Sequence, residues 1–202
     1  MKKITKYIVV IGVLLICGPA SIRCKGQYRM QQQLAEKILR FHVLANSDSA
    51  EDQALKLQVR DAVGGYMQEK MQNLTSKDAC ESFIAERIPE IERVAEQVVV
   101  DAGFSYEVQA ELAECEFPVK SYGSYTFPEG NYDALRVTIG EGGGQNWWCV
   151  MYPNMCFANS MYEVVDEKNG KKLQAVLDEE EYQMVLNSGN YEVQFWFLEL
   201  FK

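Results

Sequence analysis

Apolar residues along the chain fall into three kinds of pattern. The first is an uncharged run from Ile8 to Cys17, set behind the basic residues Lys2, Lys3 and Lys6. The second has helical spacing. Leu55, Val59, Ala62, Val63, Tyr66 and Met67 fall on one face of a helix from Ala54, with Lys56, Arg60 and Gln68 turned away and Asp52 paired to Lys56 four residues on. Gly64-Gly65 predicts a kink or a close packing contact there, because each glycine costs about 1 kcal/mol against alanine in a helix. Thr75 to Asp78 reads as a capping box for a helix that carries Cys80, Phe83 and Ile84 inward. Pro89 ends that helix and opens the next, lined by Ile91, Val94, Ala95, Val98 and Ala102 and stopped by Gly103.

The third pattern alternates. Phe104, Tyr106, Val108, Ala110 and Leu112 predict a strand with one wet face. Near Glu114 the phase shifts to Cys115, Phe117 and Val119, which predicts a bulge or a new strand. Leu135, Val137 and Ile139 form a further strand, and Trp147 to Tyr152 is apolar enough to be covered on both faces. Earlier in the chain, Ser21 to Gln33 reads as a loose polar start and Leu34 to Leu39 as a helix. Phe41 to Ala45 then reads as a short buried strand. The Asn46 to Asp52 turn follows, with Ser47, Asp48 or Ser49 placed to cap the next helix. Late in the chain, 166–170 predicts a turn, Asp178 with Glu181 caps a short helix, and Tyr191 to Phe201 reads as a last strand.

This order predicts an α+β fold. An N-terminal strand and about three helices pack on a mainly antiparallel sheet, preceded by a signal segment. The predicted divisions are a signal peptide or anchor over 1–20, a core domain over 34–157, and a helix-strand extension over 158–202 packed on the core.

Composition sharpens the compartment. The basic start, the apolar run and Gly18-Pro19-Ala20 together read as an export signal with a cut after Ala20. If uncleaved, residues 7–20 would associate with a membrane. Removing the three leading lysines, with no acid alongside, takes the net charge from −9 to −12. That balance argues against nucleic acid; it suits a basic protein loop as partner, but is explained first by a charge that keeps the domain soluble. Six cysteines occur, and export permits disulfides. Cys149 and Cys156 flank a short turn and predict a bridge, the alternative being two reduced core thiols. A Cys80–Cys115 bridge would tie helix to sheet.

Candidate chemistry is sparse. His42 is the only histidine, no Cys-x-x-Cys occurs, and a zinc site is not expected. His42 sits in an apolar run and reads as a hydrogen-bonded core residue. Asp48, Glu51 and Asp52 lack the alternation of a calcium loop and suit helix capping. Gly140 to Gln145 lacks the Lys-Ser/Thr of a phosphate loop and reads as a hairpin loop. No catalytic residues and no cofactor are expected. Trp147 and Trp148 beside this loop are either core residues or an aromatic anchor for a partner.

Two stretches carry a resemblance. Arg40-Phe-His-Val-Leu-Ala-Asn-Ser-Asp-Ser-Ala-Glu-Asp-Gln-Ala-Leu-Lys-Leu-Gln-Val-Arg-Asp-Ala-Val63 resembles the opening motif of the stage II sporulation protein R family. Tyr132-Asp-Ala-Leu-Arg-Val-Thr-Ile-Gly, continuing to Asn146-Trp-Trp-Cys-Val-Met-Tyr-Pro-Asn-Met-Cys-Phe157, resembles its second signature. The similarity spans residues 38–157. It implies a non-enzymatic signal exported into the space between forespore and mother cell. There it would activate a membrane-embedded aspartic-type protease, from the extracytoplasmic face, to mature a sporulation sigma factor. The family supplies no catalytic residues to carry over. Within the two signatures, Asn46, Asp48, Asp52, Arg60, Trp147 and Trp148 are the partner-contact candidates. The alternative class is a secreted cell-wall hydrolase or cell-wall-binding module.

Overall fold

The computed structural model describes residues 29–153, 155 and 167–187. Its elements in chain order begin with helix α1 (29–37), strand β1 (Leu39–Leu44), and helices α2 (Ala50–Lys70) and α3 (Lys77–Asp101). Strand β2 (Val108–Phe117), the small hairpin β3 (Lys120–Tyr122) and β4 (Tyr125–Phe127), and strands β5 (Gly130–Ile139) and β6 (Asn146–Tyr152) follow. Helices α4 (Glu167–Val176) and α5 (Glu179–Asn187) complete the described set. The main sheet has the order β2-β5-β1-β6. β2 and β6 pair antiparallel with their neighbours, and β1 pairs parallel with β5. The architecture is α+β with a mixed, mainly antiparallel sheet.

Each face of the sheet buries its own core. On one face, Phe41 and Val43 of β1 meet Leu135, Val137 and Ile139 of β5, Leu55, Val59 and Val63 of α2, and Ile84, Ile91 and Ala95 of α3. On the other, Ala134 and Val150 meet Leu34 and Ile38 around α1, Phe127 of the hairpin, Leu173 and Leu177 around α4, and Val185 of α5. A sheet buried on both faces explains why β1 and β6 read as continuous apolar runs.

The same arrangement explains the phase shift near Glu114. β2 is one uninterrupted strand, paired with β5 from Val108↔Ile139 to Phe117↔Gly130 without a bulge. Its first half buries Val108 and Ala110 under the α2–α3 layer. Its second half buries Cys115 and Phe117 on the opposite face. The covered side changes along the strand, so the apolar alternation shifts while the backbone does not.

Several expectations are corrected. α2 continues without interruption through Gly64-Gly65, and Gly64 is buried, the packing alternative of the two expected there. The predicted pair of helices around Pro89 is one 25-residue helix with Pro89 inside it. A proline there costs about 3 kcal/mol. The offset is the shared sheet contact of both halves, since Cys80, Ile84, Ile91, Ala95 and Val99 bury on one core. The cap of α3 is Ser76, whose hydroxyl accepts from Ala79 N at 3.2 Å, rather than a box opened by Thr75. Gln31 to Gln33 lie within α1, and Leu39 already belongs to β1. Residues 167–170 open α4 rather than making a turn. Cys80 and Cys115 are both free thiols, buried in the cores on opposite faces of the sheet, so no bridge can join them.

The cap of α5 follows the sequence. Asp178 N donates to Glu181 Oε2 and Glu181 N to Asp178 Oδ1, both at 2.9 Å, a reciprocal capping box. Lys37 of α1 reaches Glu181 at 2.5 Å and Asp178 at 3.3 Å, fastening α5 to the N-terminal helix. Among the described residues no helix is long and apolar enough to cross a membrane. The expected signal segment, Cys156 and the strand Tyr191 to Phe201 lie outside the described residues.

Candidate partner-contact surface

The two motifs that stand far apart in sequence are neighbours in space. β1 pairs with β6 from Leu44↔Asn146 through Val43↔Trp147 and His42↔Trp148 to Phe41↔Cys149. The turn after β1 then docks on the glycine loop before β6. Gly144 N donates to Ala45 O at 3.0 Å, and Gly143 N to Asn46 O at 3.1 Å. The Asn46 side-chain oxygen accepts from Glu141 N at 3.0 Å, and the Asp48 carboxylate accepts from Gln145 N at 2.7 Å. Lys56 reaches across from α2 to Gln145 O at 2.9 Å.

The glycines are needed for this approach. Gly140 has φ +57°, and a Cβ there would overlap the Asn46 carboxamide. At Gly144 a Cβ would overlap the Ser47 carbonyl, which is backbone and cannot rotate away. A loop that resembles a phosphate cradle is therefore filled by the turn of its own chain.

The polar candidates on the turn fasten it from within. Asp52 accepts from Ser47 Oγ at 2.5 Å and Asn46 Nδ2 at 2.9 Å, while its own amide donates to the N-cap Ser49 at 3.1 Å. The Ser47 hydroxyl first, and the Asn46 amide next, hold the Asp52 carboxyl below the usual range, against the opposing effect of burial. The predicted Asp52–Lys56 pair does not form. Lys56 is buried instead, donating to Gln53 Oε1 at 2.6 Å as well as to the loop, and burial lowers its pKa.

Arg60, Trp147 and Trp148 are each half-buried. Trp147 meets Phe41 edge-on at 5.6 Å, and the Arg60 guanidinium lies over its ring at 5.2 Å. Trp148 points to the opposite face. Its ring stacks on His42 at 5.9 Å, with the Lys120 ammonium at 4.3 Å. Each indole thus carries one cation, at an interaction of about 0.5–1 kcal/mol where water remains near. Cys149 is buried in β6, and its predicted partner Cys156 lies outside the described residues.

His42 is a core residue, tilted against Phe117 at 5.6 Å. Neither ring nitrogen has a hydrogen-bond partner among the described residues, which corrects the expected bonded histidine. Burial lowers its pKa, the nearby Asn146 amide opposes that, and Arg136 and Arg40 add to it.

Sequence reasoning missed Arg40. It is fully buried, donating to Cys149 O at 3.0 Å and to the Tyr122 hydroxyl at 3.2 Å. Phe117, Tyr132 and Phe127 surround its guanidinium at 4.4, 5.1 and 5.3 Å. No carboxylate among the described residues pairs with it. Aromatic faces and carbonyl dipoles stabilise the charge in place of an acid. The available signal was a cation inside the apolar run Ile38 to Leu44. Lys56 carried the same signal, since it lies three residues before Val59 on the buried face.

This arrangement positions main chain and rings but brings together no nucleophile and base. Among the described residues no group of His, Cys, Asp and Glu is placed to hold a metal ion.

Comparison with known proteins places this geometry. A family model described as Stage II sporulation protein R (spore_II_R) matches residues 35–162. The chain is also 33% identical, over 178 residues, to the "Stage II sporulation protein R" of Bacillus subtilis (strain 168), covering 85% of this chain and 79% of that protein. No solved structure matches the chain.

Proposed function

The chain belongs to the stage II sporulation protein R family, so its function is sporulation-related, and we propose that it acts there as an exported, non-enzymatic signal that activates a membrane-embedded aspartic-type protease. In this reading the protein leaves the forespore by its N-terminal segment and works between the two membranes. If the segment stays uncleaved, the protein works there tethered. Contact with the extracytoplasmic face of the protease then starts maturation of a pro-sigma factor.

One observation carries the reading. The two family signatures form a single fastened unit, in which β1, its turn and the start of α2 are bolted to the glycine loop and β6. Such a unit is a rigid presentation surface, with Arg60 and Trp147 on one side and Trp148 and Lys120 on the other. Rigid aromatic and arginine anchors suit a contact that selects one state of a partner.

The test is coexpression of the protease and its pro-sigma substrate with and without this chain. Processing is expected only when the chain is present. Single changes Asp48→Ala, Arg60→Ala, Trp147→Ala and Trp148→Ala then locate the contact among folded variants. Processing that runs equally well without the chain refutes the proposal.

A further inference from the structure

β2 is an edge strand of the main sheet. Its backbone groups alternate between β5 and the outside. Glu107 O accepts from Gly140 N at 2.8 Å on the β5 side, so the odd-numbered residues face β5 and the even-numbered ones face outward. One outward amide, Ala110 N, is capped by the Glu92 carboxylate of α3 at 2.9 Å. Beyond it no described residue covers the edge. The outward main-chain groups of Leu112, Glu114 and Glu116 have no hydrogen-bond partner among the described residues. An open edge of this length is a template for one more strand of about five residues.

A groove of 1230 Å³ runs along this open half, between the β2–β5 ladder and α1. Its walls include Glu36, Glu114, Glu116, Glu129 and Asp133, with Val119 as an exposed apolar spot. Among the described residues the only cation on its lining is Lys77, and that charge is already taken by Asp133 at 2.6 Å and Glu81 at 3.5 Å. Glu36, Glu116 and Glu129 make no ion pair among the described residues. The groove and the free edge are separate features that demand the same ligand. The edge requires an extended backbone, and the walls require positive side chains.

We propose that the open edge Leu112–Glu116 of β2 takes up a basic, extended segment of a protein partner by strand addition. Main-chain hydrogen bonds to Leu112, Glu114 and Glu116 supply the pairing, and lysines or arginines at alternate positions meet Glu114, Glu116 and the facing carboxylates. The inference rests on the signalling reading, in naming the protease as the protein that would offer this segment, and it adds a second contact surface to the tryptophan unit.

The probe is a labelled, end-blocked heptapeptide of alternating lysine and valine, titrated against the full chain by fluorescence anisotropy. Two controls separate backbone from charge. One is the same peptide N-methylated at every second residue, and the other is an alternating glutamate and valine peptide. Expected are binding of the lysine peptide, at least tenfold weaker binding of the N-methylated form, and none of the acidic one. Glu114→Lys with Glu116→Lys, checked for native circular dichroism, should also weaken binding at least tenfold and reduce pro-sigma processing. Absence of binding, or equal binding of the N-methylated peptide, overturns strand addition. In the second case the acids act only as a solubilising guard on an edge. Processing that depends on the chain but ignores the double reversal overturns the groove and leaves the signalling reading intact. Processing that never needs the chain defeats the signalling reading, and the peptide titration still decides the groove.

Discussion

Gly144→Ala should uncouple the two family signatures while leaving every core side chain in place. The added Cβ overlaps the Ser47 carbonyl, so the loop must withdraw from the turn. Three hydrogen bonds cross that contact beside it, Gly144 N to Ala45 O, Gly143 N to Asn46 O, and Gln145 N to the Asp48 carboxylate. At about 1 kcal/mol for each neutral bond and somewhat more for the charged one, withdrawal costs about 2–4 kcal/mol. Backbone entropy works the other way, since alanine loses less freedom than glycine and returns about 0.4–1 kcal/mol. The net expectation is a destabilisation of about 2–3 kcal/mol. Urea unfolding followed by tryptophan fluorescence measures it directly, because Trp147 and Trp148 follow the loop in β6. The midpoint should fall with the slope unchanged. A loss below about 0.5 kcal/mol, the range of an ordinary surface change, would refute the claim that this contact fastens the unit.

Other consequences follow from the same geometry. Arg40→Ala should destabilise by about 3 kcal/mol, as lost packing and cation–π contacts leave a cavity. Arg40→Met, which keeps the stem volume, should cost below about 1.5 kcal/mol because no acid is left unpaired, and both are read by urea unfolding. His42 is held neutral by burial, so its folded pKa lies below its unfolded value of about 6.5. The unfolded chain therefore takes up the proton first, and this stability is full above about pH 6.5 and declines as pH falls below it. His42→Phe should flatten the fall in urea midpoint between pH 7.5 and 5.5, and an unchanged slope would contradict the assignment. A Cys149–Cys156 bridge would close a loop worth about 2.5 kcal/mol on the chain-entropy scale. Peptide mapping of the exported protein should recover the linked pair, and reductant should lower the urea midpoint, whereas two alkylatable thiols would exclude the bridge.

Much of the fold was legible because its layers follow simple periods. The spacing of Leu55, Val59 and Val63 gave α2, and the run Trp147 to Tyr152 gave a strand covered on both sides. The errors arose where tertiary packing overrides local preference. Pro89 and Gly64-Gly65 read as breaks, but helices held along their length on a sheet absorb both. The shift at Glu114 read as a broken strand because periodicity reports which face is covered, and here the cover changes sides midway. The site was legible as two motifs but not as a fastening. Asp48 and Asp52 read as helix-capping groups in sequence, and only the register of β1 against β6 shows that Asn46 and Asp48 bind the glycine loop while Asp52 fastens the turn from within. Arg40 passed unnoticed and Lys56 was placed on the exposed face, because a single cation in an apolar stripe is ordinarily assigned to the surface.

The central claim is that the protein signals by contact after export. The most direct measurement compares the full chain with a form lacking residues 1–20, each coexpressed with the protease and its pro-sigma substrate and followed by immunoblot. Processing with the full chain, and none with an equally abundant, folded truncated chain, is the predicted result. Equal processing by both forms, or by neither form relative to an empty control, would contradict it.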